Sequence, residues 1–182
     1  MKNYTLNIDD SIMLMVDIQE RLTPAMYPEN KAVEANSIML QALKELNVPV
    51  IFTEQYPKGL GRTVPELLEH LEDEKPLEKV VFSAYNDDLK SLLIASGRKN
   101  VILTGMESHV CVFQTARDLL NEGYNVFAVM DGIASRTVDN MWSGFELMKE
   151  MGAVVTNMET VLFDLLKKAG SPEFKLVSKL IK

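Results

Sequence analysis

Three side chains in this sequence are candidates for covalent chemistry: Cys111, Asp17 and Lys79. Cys111 is the single cysteine of 182 residues and follows the run Thr104-Gly105-Met106-Glu107-Ser108-His109-Val110. Ser108 has the chemistry of a helix N-cap, which predicts Cys111 in the first helical turn. Unpaired amides and the positive end of the helix dipole favour a thiolate there, the form that attacks carbonyl carbon. The competing reading is a structural thiol, because free cysteine is among the most buried residue types. Asp17 directly follows the apolar run Ile12–Val16. An acid in that place is partly desolvated, so its neighbours set its proton affinity; the plainer reading is a loop acid that solvates a strand end. Lys79 precedes Val80-Val81-Phe82 and is equally readable as a solvated lysine at a strand edge.

The elements around these residues alternate. Short apolar runs of strand type are Ile12–Val16, Val48–Thr53, Val80–Phe82, Val101–Thr104, Val126–Met130 and Ala153–Thr156. Stretches with apolar residues three and four apart lie between them, the first from Asn30 to Leu46. Glycine recurs where the later helices should stop, at Gly97, Gly123, Gly152 and Gly170. The tail after Ser171 predicts one more short helix. Fully apolar strands alternating with helices predict an α/β fold: a doubly wound, mostly parallel six-stranded sheet with helices on both faces, in three layers. The expected strand order is 3-2-1-4-5-6, and ligands bind such sheets outside the carboxyl ends of the strands, where that order reverses. The reversal falls between strands one and four, which brings the segment after Val16 to the segment after Thr104. The longest irregular stretch, Glu54 to Pro65, leaves strand two and has the position of a functional loop.

Composition narrows the function classes. Apolar residues are 47% and charged residues 25% of the chain, a globular balance that predicts a single domain over residues 1–182. Nineteen basic against 26 acidic residues give a net charge of −7, which opposes nucleic acid and anionic membrane as partners. No apolar run reaches the roughly 20 residues that span a bilayer. The first ten residues do not read as a secretory signal, and one unpaired thiol suits a reducing interior; the expectation is a cytosolic protein. The histidines are His70, read as a surface residue in an acidic helical stretch, and His109, placed either to line a pocket or to cap the helix. They offer no three-ligand set for a transition metal, so no metal and no cofactor is expected. The glycine-free turn Asp17-Ile18-Gln19-Glu20 also speaks against a dinucleotide, whose pyrophosphate needs close backbone approach.

Asp17-Ile18-Gln19, Lys79 with Phe82-Ser83-Ala84-Tyr85, and Gly105-Met106-Glu107-Ser108-His109-Val110-Cys111 together resemble the isochorismatase-like cysteine hydrolases. Asp131-Gly132-Ile133-Ala134-Ser135-Arg136 follows in its expected place, and the resemblance runs from strand one to about Leu166. The isochorismatase domain-containing branch is the most similar, through Asp17 to Leu22 and Thr53 to Gly61. The resemblance implies a triad of Cys111, Asp17 and Lys79. It also implies an oxyanion hole from the backbone amides of Glu107 and Cys111, with a cis bond between Met106 and Glu107. On this reading Asp17 accepts the thiol proton, while the Lys79 cation and the helix dipole lower the thiol pKa. Gln19, Leu22, Tyr56, Tyr85 and His109 are the expected pocket walls, from position alone. A homo-oligomer is also implied, and Met141-Trp142, Phe145 and Met148 suit an interface as readily as the core.

Departures from the pattern bear on the chemistry. Nicotinamidases of this superfamily carry an aspartate and histidines after strand two, where this chain has Glu54-Gln55-Tyr56. Relatives that cleave isochorismate dispense with the cysteine. The expected function is therefore a metal-independent cysteine hydrolase acting on a small amide-like C–N substrate through a thioester-type intermediate. The alternative is a non-catalytic binding or assembly protein that retains the fold.

Overall fold

The computed structural model describes residues 4–27, 31–71 and 75–182. Six strands form its sheet: β1 (Ser11–Val16), β2 (Val50–Gln55), β3 (Leu77–Lys79), β4 (Asn100–Met106), β5 (Asn125–Ala134) and β6 (Val154–Thr156). Their order is β3-β2-β1-β4-β5-β6 and every pairing is parallel. The central strands β1 and β4 are buried along their whole length, which explains why they read as continuous apolar runs.

The side-chain period of two divides each strand between two cores. Met13 and Met15 of β1, Ile102 of β4, and Phe127 and Val129 of β5 lie in one core. That core includes residues of α1 (Lys31–Glu45), α3 (Pro65–Leu68), α7 (Met158–Leu166) and α8 (Pro172–Leu180). Ile12, Leu14 and Val16, Val101 and Leu103, and Val126 and Ala128 lie in the other. There the cover is α4 (Asp87–Ser96), α5 (Phe113–Asn121) and α6 (Val138–Met151). A single turn, α2 (Pro57–Leu60), interrupts the loop after β2. Ser171 caps α8 by accepting from the Phe174 amide, as the tail predicted.

The third strand departs from the sequence expectation. It spans Leu77–Lys79, so Lys79 closes the strand at its carboxyl end, and Val80, Val81 and Phe82 lie beyond it with exposed side chains. α7 stops at Leu166, where Lys167 takes a φ of 60°, four residues short of the expected Gly170. Asn30, the expected start of α1, lies outside the described residues. Phe145 and Met148 belong to the core, while Trp142 remains 48% exposed, edge-on to Phe145. His70 is not a free surface residue: its Nε2 lies 3.0 Å from Ser37 Oγ of α1.

Candidate active site

The carboxyl ends of β1, β2, β3 and β4 converge on Asp17. Val16 pairs with Thr53 and with Gly105, and Gln55 pairs with Lys79. Past Val16 the chain enters the left-handed region at Asp17, with φ 55°. The Asp17 amide donates to Thr53 O at 3.2 Å. Its carboxylate accepts from Thr53 Oγ1 at 2.6 Å and from Lys79 Nζ at 2.6 Å. Both side chains of this ion pair are buried, Lys79 at 1% exposure and Asp17 at 0%. Lys79 also donates to Gln55 Oε1 at 2.7 Å, Phe82 O at 2.9 Å and Val81 O at 3.3 Å. Those carbonyls turn inward to serve the cation, which leaves the side chains of Val81 and Phe82 outside.

Cys111 reaches the same point from β4. Gly105, at φ 124°, lies so close to β1 that a Cβ there would overlap the Val16 carbonyl. The next peptide bond, Met106–Glu107, is cis, and a single π-helical turn, Ser108–Val112, then leads into α5. Ser108 does not cap this turn. Its hydroxyl lies 2.8 Å from Ser135 Oγ and donates toward the carbonyls of Asn140 and Met141. Gly144 of α6 permits that packing, since a Cβ on it would stand 2.6 Å from the Ser108 carbonyl carbon. From behind, Thr115 Oγ1 donates to Cys111 O at 2.7 Å and accepts from the Ala84 amide at 2.8 Å.

The Asp17 carboxylate and the Glu107 backbone amide both act on the Cys111 thiol, the acid disfavouring the thiolate and the amide favouring it. Burial, and next the Asp17 charge, push the thiol up to about 12, against a smaller pull from Lys79. This corrects the expectation of a lowered pKa: at 7% exposure the sulfur has lost water, and the facing acid outweighs the cation. Burial also raises Asp17 above its ordinary value, opposed by Lys79, Thr53 and the thiol. A raised carboxylate is a stronger base than a solvated one.

The expected pocket walls separate. Gln19 is fully buried and spends its carboxamide on backbone, accepting from the Gln55 amide at 2.7 Å and donating to Gln55 O and Gly61 O at 3.0 and 2.7 Å. It clamps two loops and is no wall. Leu22 packs against the core of α1 and α7, and Tyr85 lies edge-on to Tyr124 at 6.3 Å. His109 Nδ1 lies 3.2 Å from Ser135 Oγ. Tyr56 lines a cavity of about 460 Å³ between the Pro57–Lys58 turn and Lys79, Val80 and Val81.

Thr53, Gln55 and Arg136 touch the site residues without having been singled out from the sequence. Arg136 donates from its backbone amide and from Nε to the Glu107 carboxylate, at 3.1 and 3.0 Å. Glu54 is turned away: its carboxylate accepts from the Thr63 amide at 2.8 Å, the Thr63 hydroxyl at 3.0 Å and Arg62 at 2.8 Å. Among the described residues, no group of three or more His, Cys, Asp or Glu side chains is placed to hold a metal ion. No described helix is long and apolar enough to cross a membrane.

The isochorismatase domain matches residues 11–160, a range that holds Asp17, Lys79 and Cys111. The chain belongs to the isochorismatase family. It is 39% identical over 177 residues to the secreted isochorismatase effector Isc1 of Phytophthora sojae, covering 94% of this chain and 84% of that protein. It is 37% identical to isochorismatase domain-containing protein 2 of Danio rerio, covering 97% of this chain and 89% of that one. Among solved structures, the MAR1 ribonuclease from Caenorhabditis elegans superposes with a TM-score of 0.93 at 36% identity, covering 97% and 92% of the two chains. The isochorismatase-like hydrolase fold is thus shared along nearly the full chain, and of the elements described here only α8 lies wholly beyond the matched domain.

Proposed function

We propose that this isochorismatase-family chain, as one domain, is a cysteine hydrolase of small amide-like substrates that works without a metal. One observation carries the reading: Lys79 and Asp17 form a buried ion pair at 2.6 Å, and the charges of that pair and the Glu107 amide all act on the Cys111 thiol. With the thiol pushed up to about 12, a standing thiolate is not the reagent. The proton passes from Sγ to Asp17 as Sγ bonds to the carbonyl carbon. Lys79 stays charged and holds the carboxylate in line. The carbonyl oxygen becomes an oxyanion, with the Glu107 and Cys111 amides as its donors. The C–N bond then breaks, Asp17 returns its proton to the leaving nitrogen, and a thioester remains on Cys111. Water attacks the thioester, giving one proton to Asp17, and the carboxylic acid leaves as the thiol re-forms with that proton. A reducing compartment suits this cycle, because an oxidised sulfur cannot attack.

A screen of amides, carbamoyl compounds and imides against the wild type and Cys111→Ala tests the proposal. Turnover by the wild type alone is the expected result; equal turnover by Cys111→Ala, or an inert wild type, would favour the binding-protein alternative. The likeness to the MAR1 ribonuclease raises RNA as a second substrate class, which the net charge of −7 opposes. RNA in the same screen separates the two. The family resemblance also implies a homo-oligomer, and sedimentation of the purified chain as a monomer would overturn that part.

A further inference from the structure

The Lys79 ammonium has three N–H bonds and four acceptors around it. Asp17 Oδ2 and Gln55 Oε1 lie at 2.6 and 2.7 Å, Phe82 O and Val81 O at 2.9 and 3.3 Å. Asp17 is the charged one. The acids nearest in the strands, Glu54 and Glu78, face Arg62 at 2.8 and 3.0 Å. Gln55 therefore contributes a neutral acceptor at a distance close to that of the charged one.

The orientation of the Gln55 amide is fixed by its other end. Its Nε2 donates to Val80 O at 3.0 Å, so Oε1 must face the cation. A flipped amide would set NH₂ against an ammonium and oxygen against a carbonyl. The backbone of Gln55 is gripped in turn by Gln19, which takes its N–H at 2.7 Å and meets its carbonyl at 3.0 Å, as a neighbouring strand would. A line of contacts thus runs from the fully buried Gln19 through Gln55 to Lys79 and Asp17.

We infer that Gln55 is a positioning residue whose carboxamide oxygen fixes the Lys79 ammonium against Asp17 without competing for its charge. The inference rests on the proposed roles of Asp17, Lys79 and Cys111. A side chain of similar length with no acceptor removes one of the three short bonds that locate the ammonium, so Lys79 supports the Asp17 carboxylate less well. A glutamate keeps the bond but adds a second negative charge, which draws the ammonium off Asp17 and raises the proton affinity of both acids.

The test is the pH dependence of Cys111 acetylation by p-nitrophenyl acetate, followed by intact mass with Cys111→Ala as the baseline. The acid limb of the wild-type profile reports protonation of Asp17 as base. In Gln55→Met the limb moves up by about one pH unit, so the rate on that limb falls about tenfold. In Gln55→Glu it moves up further, although that side chain has nearly the shape of the native one. A merely structural role would lower the melting temperature and leave the limb in place. Limbs that superimpose on the wild type in both variants would overturn the inference. Failure of the wild type itself to acetylate would instead overturn the cysteine-hydrolase reading, so the two failures are distinguishable.

Discussion

Lys79 Nζ stands 2.6 Å from Asp17 Oδ2, and water reaches neither side chain to any useful extent. Two opposite charges at that distance in a desolvated site hold each other in place, yet each is costly without the other. Lys79→Met should therefore destabilise the fold by about 3–5 kcal/mol, as should Asp17→Asn. The double variant should recover much of that loss, because no unpaired charge is left behind. Chemical denaturation of the four proteins checks this; additive losses in the double variant would mean that the two groups are not coupled.

The thiol gives a signature at alkaline pH. Its folded pKa is pushed up from an ordinary 9.0 to about 12, by burial first and the Asp17 charge second. A raised folded pKa means that the folded state holds the proton more tightly than the unfolded chain. The associated stability is complete below pH 9 and is lost as pH rises toward 12. Cys111→Ala should remove that part of the alkaline slope, whatever its effect on absolute stability. Parallel stability–pH curves for the two proteins between pH 8 and the alkaline limit of reversible folding, on the order of pH 10–11, would contradict the assignment.

Gly144 offers a way to disturb the site from behind. A Cβ there meets the Ser108 carbonyl carbon at 2.6 Å, and that atom is backbone, so α6 or the Cys111 turn must shift. Gly144→Ala should retain the sheet by circular dichroism but slow acetylation of Cys111 at least tenfold, since small displacements of a nucleophile cost on this scale. An unchanged rate would show that the turn tolerates displacement.

Much of the architecture was legible in the sequence because the central strands are buried on both faces and so declare themselves. Strand order followed, and with it the approach of Asp17 to the Cys111 turn. The edge was not legible. Val80-Val81-Phe82 has strand composition, but the carbonyls of Val81 and Phe82 are drawn inward by Lys79 and that of Val80 by Gln55, so their side chains face solvent. The bonds from Lys79 are local, but the ion pair that buries Lys79 is with Asp17, 62 positions away, which local propensity does not register. The same holds for Gln19, whose partners are 36 and 42 positions away. The sign of the thiol shift is illegible for a related reason: depth of burial, the largest cause, depends on the packed fold and outweighs the cation.

Glu54 is occupied by Thr63 and Arg62, and the steps proposed for Asp17, Lys79 and Cys111 call on no Lewis acid. Hydrolysis of any amide found in the screen should survive exhaustive chelation. Loss of activity that is restored by zinc or another divalent ion would overturn the metal-independent route.

The central claim is that Cys111 takes an acyl group while Asp17 takes its proton. An activated acyl donor tests this without knowledge of the natural substrate. Mixed with p-nitrophenyl acetate near neutral pH, the wild type should release a burst of about one nitrophenolate per chain, with one acetyl group on Cys111 by intact mass. Cys111→Ala should show no burst. A folded wild type that releases no burst, or a burst of equal size from Cys111→Ala, would contradict the account.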